Sequence, residues 1–94
     1  MRIRYERGAL ADLIEIFAYV AAQNRDAAAR LVSNIEAAVA RIASNPYIGV
    51  ATRNPYFRRF RVARYLIVYE ISTTEIIIQY VRHDARRHPW EEDR

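Results

Sequence analysis

The sequence predicts an α+β fold in the order β-α-α-β-β-β, an antiparallel sheet with a helical hairpin packed on one face. Three observations predict it. Two stretches carry apolar residues at helical spacing, and only the polar turn Gln23-Asn24-Arg25-Asp26 separates them. Two later runs, Tyr65-Leu66-Ile67-Val68-Tyr69 and Ile76-Ile77-Ile78, are apolar at every position, as in the centre of a sheet covered on both faces. The connections between the last three strand-like runs are short, which makes them antiparallel neighbours.

The chain opens on Met-Arg-Ile-Arg-Tyr. Ile3 and Tyr5 alternate with Arg2 and Arg4, the period of a short half-buried strand. Leu10, Leu13, Ile14, Phe17, Val20 and Ala21 then follow helical spacing and predict a first helix over 8–22. Asn24 or Asp26 can cap a second helix. That helix gathers Ala28, Leu31, Val32, Ile35, Ala38, Val39 and Ile42 on one stripe and ends near Ser44-Asn45-Pro46, because the residue before a proline avoids helical geometry. So short a connection implies an antiparallel helical hairpin. Residues 47–55 read as a loop punctuated by Gly49 and Pro55. Strands are predicted over 58–62, 65–71 and 75–82, joined at Val62-Ala63-Arg64 and at Ser72-Thr73-Thr74. The helical hairpin and the sheet together make a two-layer domain.

Ninety-four residues make one domain, 1–94. A chain of this size buries roughly 60–65% of its unfolded surface, enough for one modest core. Residues 84–94 form a basic tail whose last few positions are expected to fray. Cysteine is absent, which excludes disulfides and thiolate metal sites and fits a reducing, cytoplasmic setting. Arg2, Arg4, Glu6, Arg7 and Asp12 interrupt any apolar segment of signal-peptide length. No run approaches the roughly 20 residues of a membrane span.

All fifteen basic residues are arginine, and the net charge is +4. Arginine carries a planar, always-charged fork suited to carboxylate and phosphate. Arg58, Arg59, Arg61 and Arg64 precede the apolar strands, and Arg82, Arg86 and Arg87 follow them. Arginines concentrated at the two ends of a sheet can present a cationic platform to a phosphate backbone or an acidic polypeptide. The same charges also suit a solvated edge strand, where they discourage unwanted pairing.

The run from Arg82 to Trp90 sets histidines beside arginines and an aromatic. A metal-free ribonuclease uses such groups to take the 2′-OH proton, to stabilise phosphorane charge and to stack on a base. The alternative is a basic tail in which His83 packs against the strand end and Trp90 against the helices. His83, Asp84 and His88 lack a recognised metal spacing, so neither metal nor cofactor is expected. With only Gly8 and Gly49 in the chain there is no phosphate-cradling glycine loop, and Ser33, Ser44 and Ser72 sit in no nucleophile motif. Apolar stripes from Leu13 to Val20 and from Leu31 to Ile42 exceed what one small sheet must cover, so the remainder marks a partner site.

Taken in order and spacing, these elements resemble the RelE/ParE superfamily of toxins from bacterial type II toxin–antitoxin systems, over nearly the whole chain. The residues that carry the resemblance are Ala11-Asp12-Leu13 with Ile16 and Tyr19, then Ala28-Ala29 leading to Leu31 and Ile35. Asn45-Pro46 with Gly49, the arginines around Arg59, Tyr69, and Ile77-Ile78 with Val81 and His83 running into Arg86-Arg87 complete it.

The resemblance implies a cytoplasmic toxin held in a hetero-oligomer by a cognate ParD-like or RelB-like antitoxin, whose C-terminal segment wraps it with a helix and extended chain. It casts Leu13, Phe17, Val20, Leu31, Ile35 and Ile42 as antitoxin-binding. Arg59, Arg61, Arg86, Arg87 and Trp90 become target-binding. RelE-like members cut mRNA in the ribosomal A site and carry an arginine where this chain has Leu66; their assisting lysines have no lysine counterpart here, although Arg59 and Arg61 lie nearby. ParE-like members inhibit DNA gyrase. The early Ala-Asp-Leu helix and the Asn-Pro-x-x-Gly loop also favour the ParE branch. The alternative is a ribosome-dependent endonuclease with Arg59, Arg61, Arg82, His83 and Arg86 as its catalytic groups. A further alternative is an inactive member that only binds the antitoxin.

Overall fold

In a computed structural model of the chain, which describes residues 1–84, the elements run β1 (Arg2–Tyr5), α1 (Arg7–Gln23), α2 (Arg25–Ser44), a single 3₁₀ turn (Pro46–Ile48), β2 (Val50–Ala51), β3 (Phe57–Val62), β4 (Tyr65–Ile71) and β5 (Glu75–His83). The strands form one sheet in the order β1-β5-β4-β3-β2. The α+β class and the hairpin of helices on one face match the sequence reading. The meander β3-β4-β5 is antiparallel, but the sheet as a whole is mixed. β1 runs parallel to β5, with Ile3 opposite Ile76 and Tyr5 opposite Ile78. Two-residue alternation is the same in parallel and antiparallel strands, so β1 carried no signal of its direction. The predicted loop contains the short edge strand β2, antiparallel to β3.

A single residue, Asn24, joins the helices. Its backbone N–H donates to the Val20 carbonyl and closes α1, while its side chain accepts from Ala27 N and caps α2. Of the two candidate caps it is Asn24 that is used, and an extended φ of −160° at this residue turns the chain. α2 buries Ala28, Leu31, Ile35, Ala38, Val39 and Ile42 against the sheet. From the strands, Val62, Ile67, Tyr69, Ile76, Ile78 and Val81 meet them in the main core.

On the opposite face Leu66 and Val68 form a second, smaller cluster with Phe57 and Tyr80. This accounts for the runs that are apolar at every position: both faces of the central strands are covered, one by helices and one by neighbouring side chains. Gln79 is an extra residue in β5, because Val68 pairs with Tyr80 and Tyr69 with Ile78. Its amide donates to the Glu70 carboxylate. At the β3–β4 turn Ala63 has a φ of 54°, left-handed geometry that costs a residue with a Cβ roughly 1 kcal/mol. Among the described residues, no helix is long and apolar enough to cross a membrane.

Candidate functional site

Asp12 lies on the inward stripe of α1, three residues after the buried Ala9 and four before Ile16. A carboxylate there needs partners, since an unpaired buried charge is costly. β1 pairs with β5 only as far as Ile78, which leaves the next stretch of β5 as a sheet edge. Asp12 fills the gap: its carboxylate accepts the Val81 N–H at 3.0 Å and forms an ion pair with Arg82. A cleft of about 390 Å³ opens beside this junction, lined by Glu15, Ile16, Tyr19, Tyr65 and His83 together with the Asp12–Arg82 pair and Val81.

The arginines singled out from the sequence converge on one end of the sheet. Arg61 lies opposite Leu66, and Leu66 opposite Arg82; Arg59 lies opposite Val68, and Val68 opposite Tyr80. By strand alternation these side chains share the face away from the helices. Arg61 forms an ion pair with Asp84, and the Arg82 guanidinium lies 4.9 Å from the Tyr80 ring centre. The hydrogen bond from Arg61 holds the Asp84 carboxyl below its ordinary range. His83 approaches Asp84 at 3.5 Å and meets the Tyr65 ring edge-on. The strands therefore bring Arg59, Arg61 and Arg82 together around an apolar centre of Leu66 and Val68, whereas His83, next to Arg82 in β5 and paired with Tyr65, lies on the helix side. Arg86, Arg87 and Trp90, with the rest of the basic tail, lie outside the described residues.

The helical candidates divide. Leu31, Ile35 and Ile42 are core residues, with Ile35 only 3% exposed and Ile42 fully buried. The expectation that their stripe offers a partner surface is corrected, because the sheet consumes it. Leu13, Phe17 and Val20 are half-buried and pack against the same core. The exposed apolar side chains of the hairpin lie instead on the two flanks of α1: Leu10 and the 71% exposed Ile14 on one, and Tyr19 on the other, beside the β5 cleft.

Sequence reasoning also missed the lock on the connection between α2 and β3. Tyr69 is fully buried. Its hydroxyl donates to the Pro46 carbonyl at 2.6 Å and accepts the Gly49 N–H at 2.9 Å. Burial raises its pKa above the ordinary tyrosine value. Gly49 is required by close approach: a Cβ there would sit 2.5 Å from the Tyr69 hydroxyl and 2.8 Å from the Arg59 carbonyl oxygen. Arg58 donates to the Gly49 carbonyl at 2.6 Å and lies over the Tyr47 ring. The pairing of Asn45-Pro46-x-x-Gly49 with Tyr69 is thus one structural device, and the spacing of the proline and glycine was its only trace in the sequence.

The domain thus has two layers, with exposed apolar side chains on α1 and arginines on the sheet face away from the helices. The family model for the ParE toxin of type II toxin–antitoxin systems, parDE, matches residues 3–88, and the chain belongs to that family. The fold is similar to a solved structure described as the chromosomal ParDE TA system from P. aeruginosa. The likeness covers 88% of this chain and 95% of that one, with a TM-score of 0.77 at 20% identity. Similarity at that identity concerns the fold. No curated protein matches the sequence.

Proposed function

We propose that this chain is a cytoplasmic toxin that a cognate antitoxin neutralises by covering the outward face of α1, and that the free toxin inhibits DNA gyrase. The observation that carries the choice of target is Leu66. It occupies the position between Arg61 and Arg82, where a ribosome-dependent nuclease needs a cation against the scissile phosphate. A leucine cannot stabilise developing phosphorane charge, and the two flanking arginines are already engaged by Asp84 and Asp12. Losing one such contact costs about 3–4 kcal/mol, or 10²–10³ in rate.

The site for the antitoxin is supported by Leu10 and Ile14, one turn apart and exposed on the same flank of α1. An amphipathic helix laid along that face would bury them. Leu13, Phe17 and Val20 form the inner margin of the same surface. The cleft between α1 and β5, with Tyr19 and His83, lies on the other flank of the helix.

The convergence of Arg59, Arg61 and Arg82 on one face, with His83 at the same end of β5, favours the second reading, an mRNA endonuclease. The two separate in a purified translation reaction mapped by primer extension, run beside a gyrase supercoiling assay. Lost supercoiling with intact message is the expected result. Codon-phased cuts abolished by Arg61→Ala or His83→Ala would assign the chain to the nuclease branch. Activity in neither assay, with antitoxin binding intact, would leave an antitoxin-binding member without toxicity.

A further inference from the structure

Among the described residues, the large apolar side chains exposed beyond Met1 fall into two groups: Leu10, Ile14 and Tyr19 on α1, and Tyr47, Val50 and Tyr56 on the connection between α2 and β3. The second group lies along the β2 edge of the sheet, whereas α1 packs against β5 next to the β1 edge. We propose that this second group is the surface with which the toxin grips its target, and that the target offers an acidic protein surface studded with apolar side chains. The inference rests on the reading of the chain as a toxin.

Two independent features support it. The first is rigidity. A buried tyrosine hydroxyl, a glycine pressed against it and Arg58 pin the first half of the connection. The second half is tied by Asn54, whose side chain accepts from Tyr56 N and whose carbonyl accepts from Phe57 N. Thr52 donates to the same Asn54 carbonyl. An exposed aromatic held this way loses little entropy on binding, which is the property of an interface anchor. Tyr and Arg are also the residue types that dominate binding hot spots.

The second feature is charge. Between Ala37 and Tyr69 the chain has six arginines and no acidic residue. All eleven acidic residues lie outside this stretch, with the other nine arginines. The charge of the chain is therefore concentrated on the segment that bears Tyr47, Val50 and Tyr56, and it complements a negative surface. A protein fits better than a nucleic acid. Most of these arginines are already engaged within the chain, among them Arg58 with Gly49 and Tyr47, Arg61 with Asp84, Arg41 over the Phe60 ring, and Arg59. Val50 adds an aliphatic anchor, which has no stacking role on bases.

The experiment uses the full chain with Tyr47→Ser and Tyr56→Ser combined. A second variant pair replaces Val50 with Asp or with Arg. Growth arrest on induced expression is read beside binding to the antitoxin from the neighbouring reading frame and the thermal midpoint, which report folding. The double variant should keep its midpoint and its antitoxin affinity within about three-fold, while arrest requires at least about ten-fold more protein. Val50→Asp should weaken arrest more than Val50→Arg, since an aspartate faces like charge. Unchanged arrest by the folded double variant overturns the proposal and leaves the toxin reading intact. A wild-type chain that does not arrest growth removes both. A fluorescent random DNA duplex that binds the wild type and not the double variant would also overturn it, in favour of a nucleic-acid surface.

Discussion

The two helices of the hairpin lie side by side, yet they are built for different tasks. α2 is amphipathic: it buries a continuous stripe from Ala28 to Ile42, and its other face carries Arg30, Ser33, Asn34 and Glu36. α1 fully buries only Ala9, and it exposes Leu10 and Ile14 on one flank and Tyr19 on the other. A helix that is apolar nearly all round needs cover on both sides. The sheet covers one side of α1. On the proposed reading the exposed flank is where the antitoxin replaces water, with stability assigned to α2 and recognition to α1.

Paired truncations break or sharpen this contrast. Ile35→Ala removes a side chain that is 3% exposed, and such truncations cost about 2–5 kcal/mol. Ile14→Ala removes one that is 71% exposed, and should change stability by less than about 0.5 kcal/mol. Urea unfolding of both variants measures the difference. Similar losses for the two would mean that α1 is already covered in the free chain.

The next largest effect belongs to the lock outside the hairpin. Tyr69→Phe strands the buried Gly49 N–H and removes the donor to the Pro46 carbonyl, a loss of about 1–3 kcal/mol. The same substitution should alter the alkaline limb of stability. Tyr69 and Tyr5 both have pKa values raised by burial above the ordinary 10.0. The unfolded chain then loses these protons first as pH rises. Their contribution is complete below the ordinary tyrosine pKa and is lost as pH climbs through the raised value. Thermal melts from pH 8 to 11 should fall less steeply for Tyr69→Phe than for the wild type. Parallel slopes would show that the phenol titrates normally. A smaller loss than at the lock falls at the joint of the two helices. Asn24→Ala loses the bond to Ala27 N and should cost about 1 kcal/mol, also read by urea unfolding.

The elements were legible in the sequence because their signals are local. Helical spacing placed α1 and α2 within a residue or so of their ends, and the meander followed from short turns. The signals that failed are long-range. Nothing near β1 specified its parallel pairing with β5. Tyr69 was read as the end of an apolar strand, since the partners of its hydroxyl are 20 and 23 residues away. The surplus of apolar surface on the hairpin was visible as a total, but its location was not. Leu31, Ile35 and Ile42 looked equivalent to Leu10 and Ile14 until the sheet was in place. Asp12 was the exception that a closer look at phase could have found, because a carboxylate on the inward stripe of a helix announces a partner.

The central claim is that α1, and not α2, presents the surface for the antitoxin. The direct test places the same charge on the exposed face of each helix, as Ile14→Arg and as Ala37→Arg, and measures the dissociation constant for the protein of the neighbouring reading frame. Both variants should stay folded, since both positions are exposed. The account predicts binding weakened at least about thirty-fold by Ile14→Arg and changed less than about three-fold by Ala37→Arg. A loss confined to Ala37→Arg would contradict it and move the antitoxin to α2.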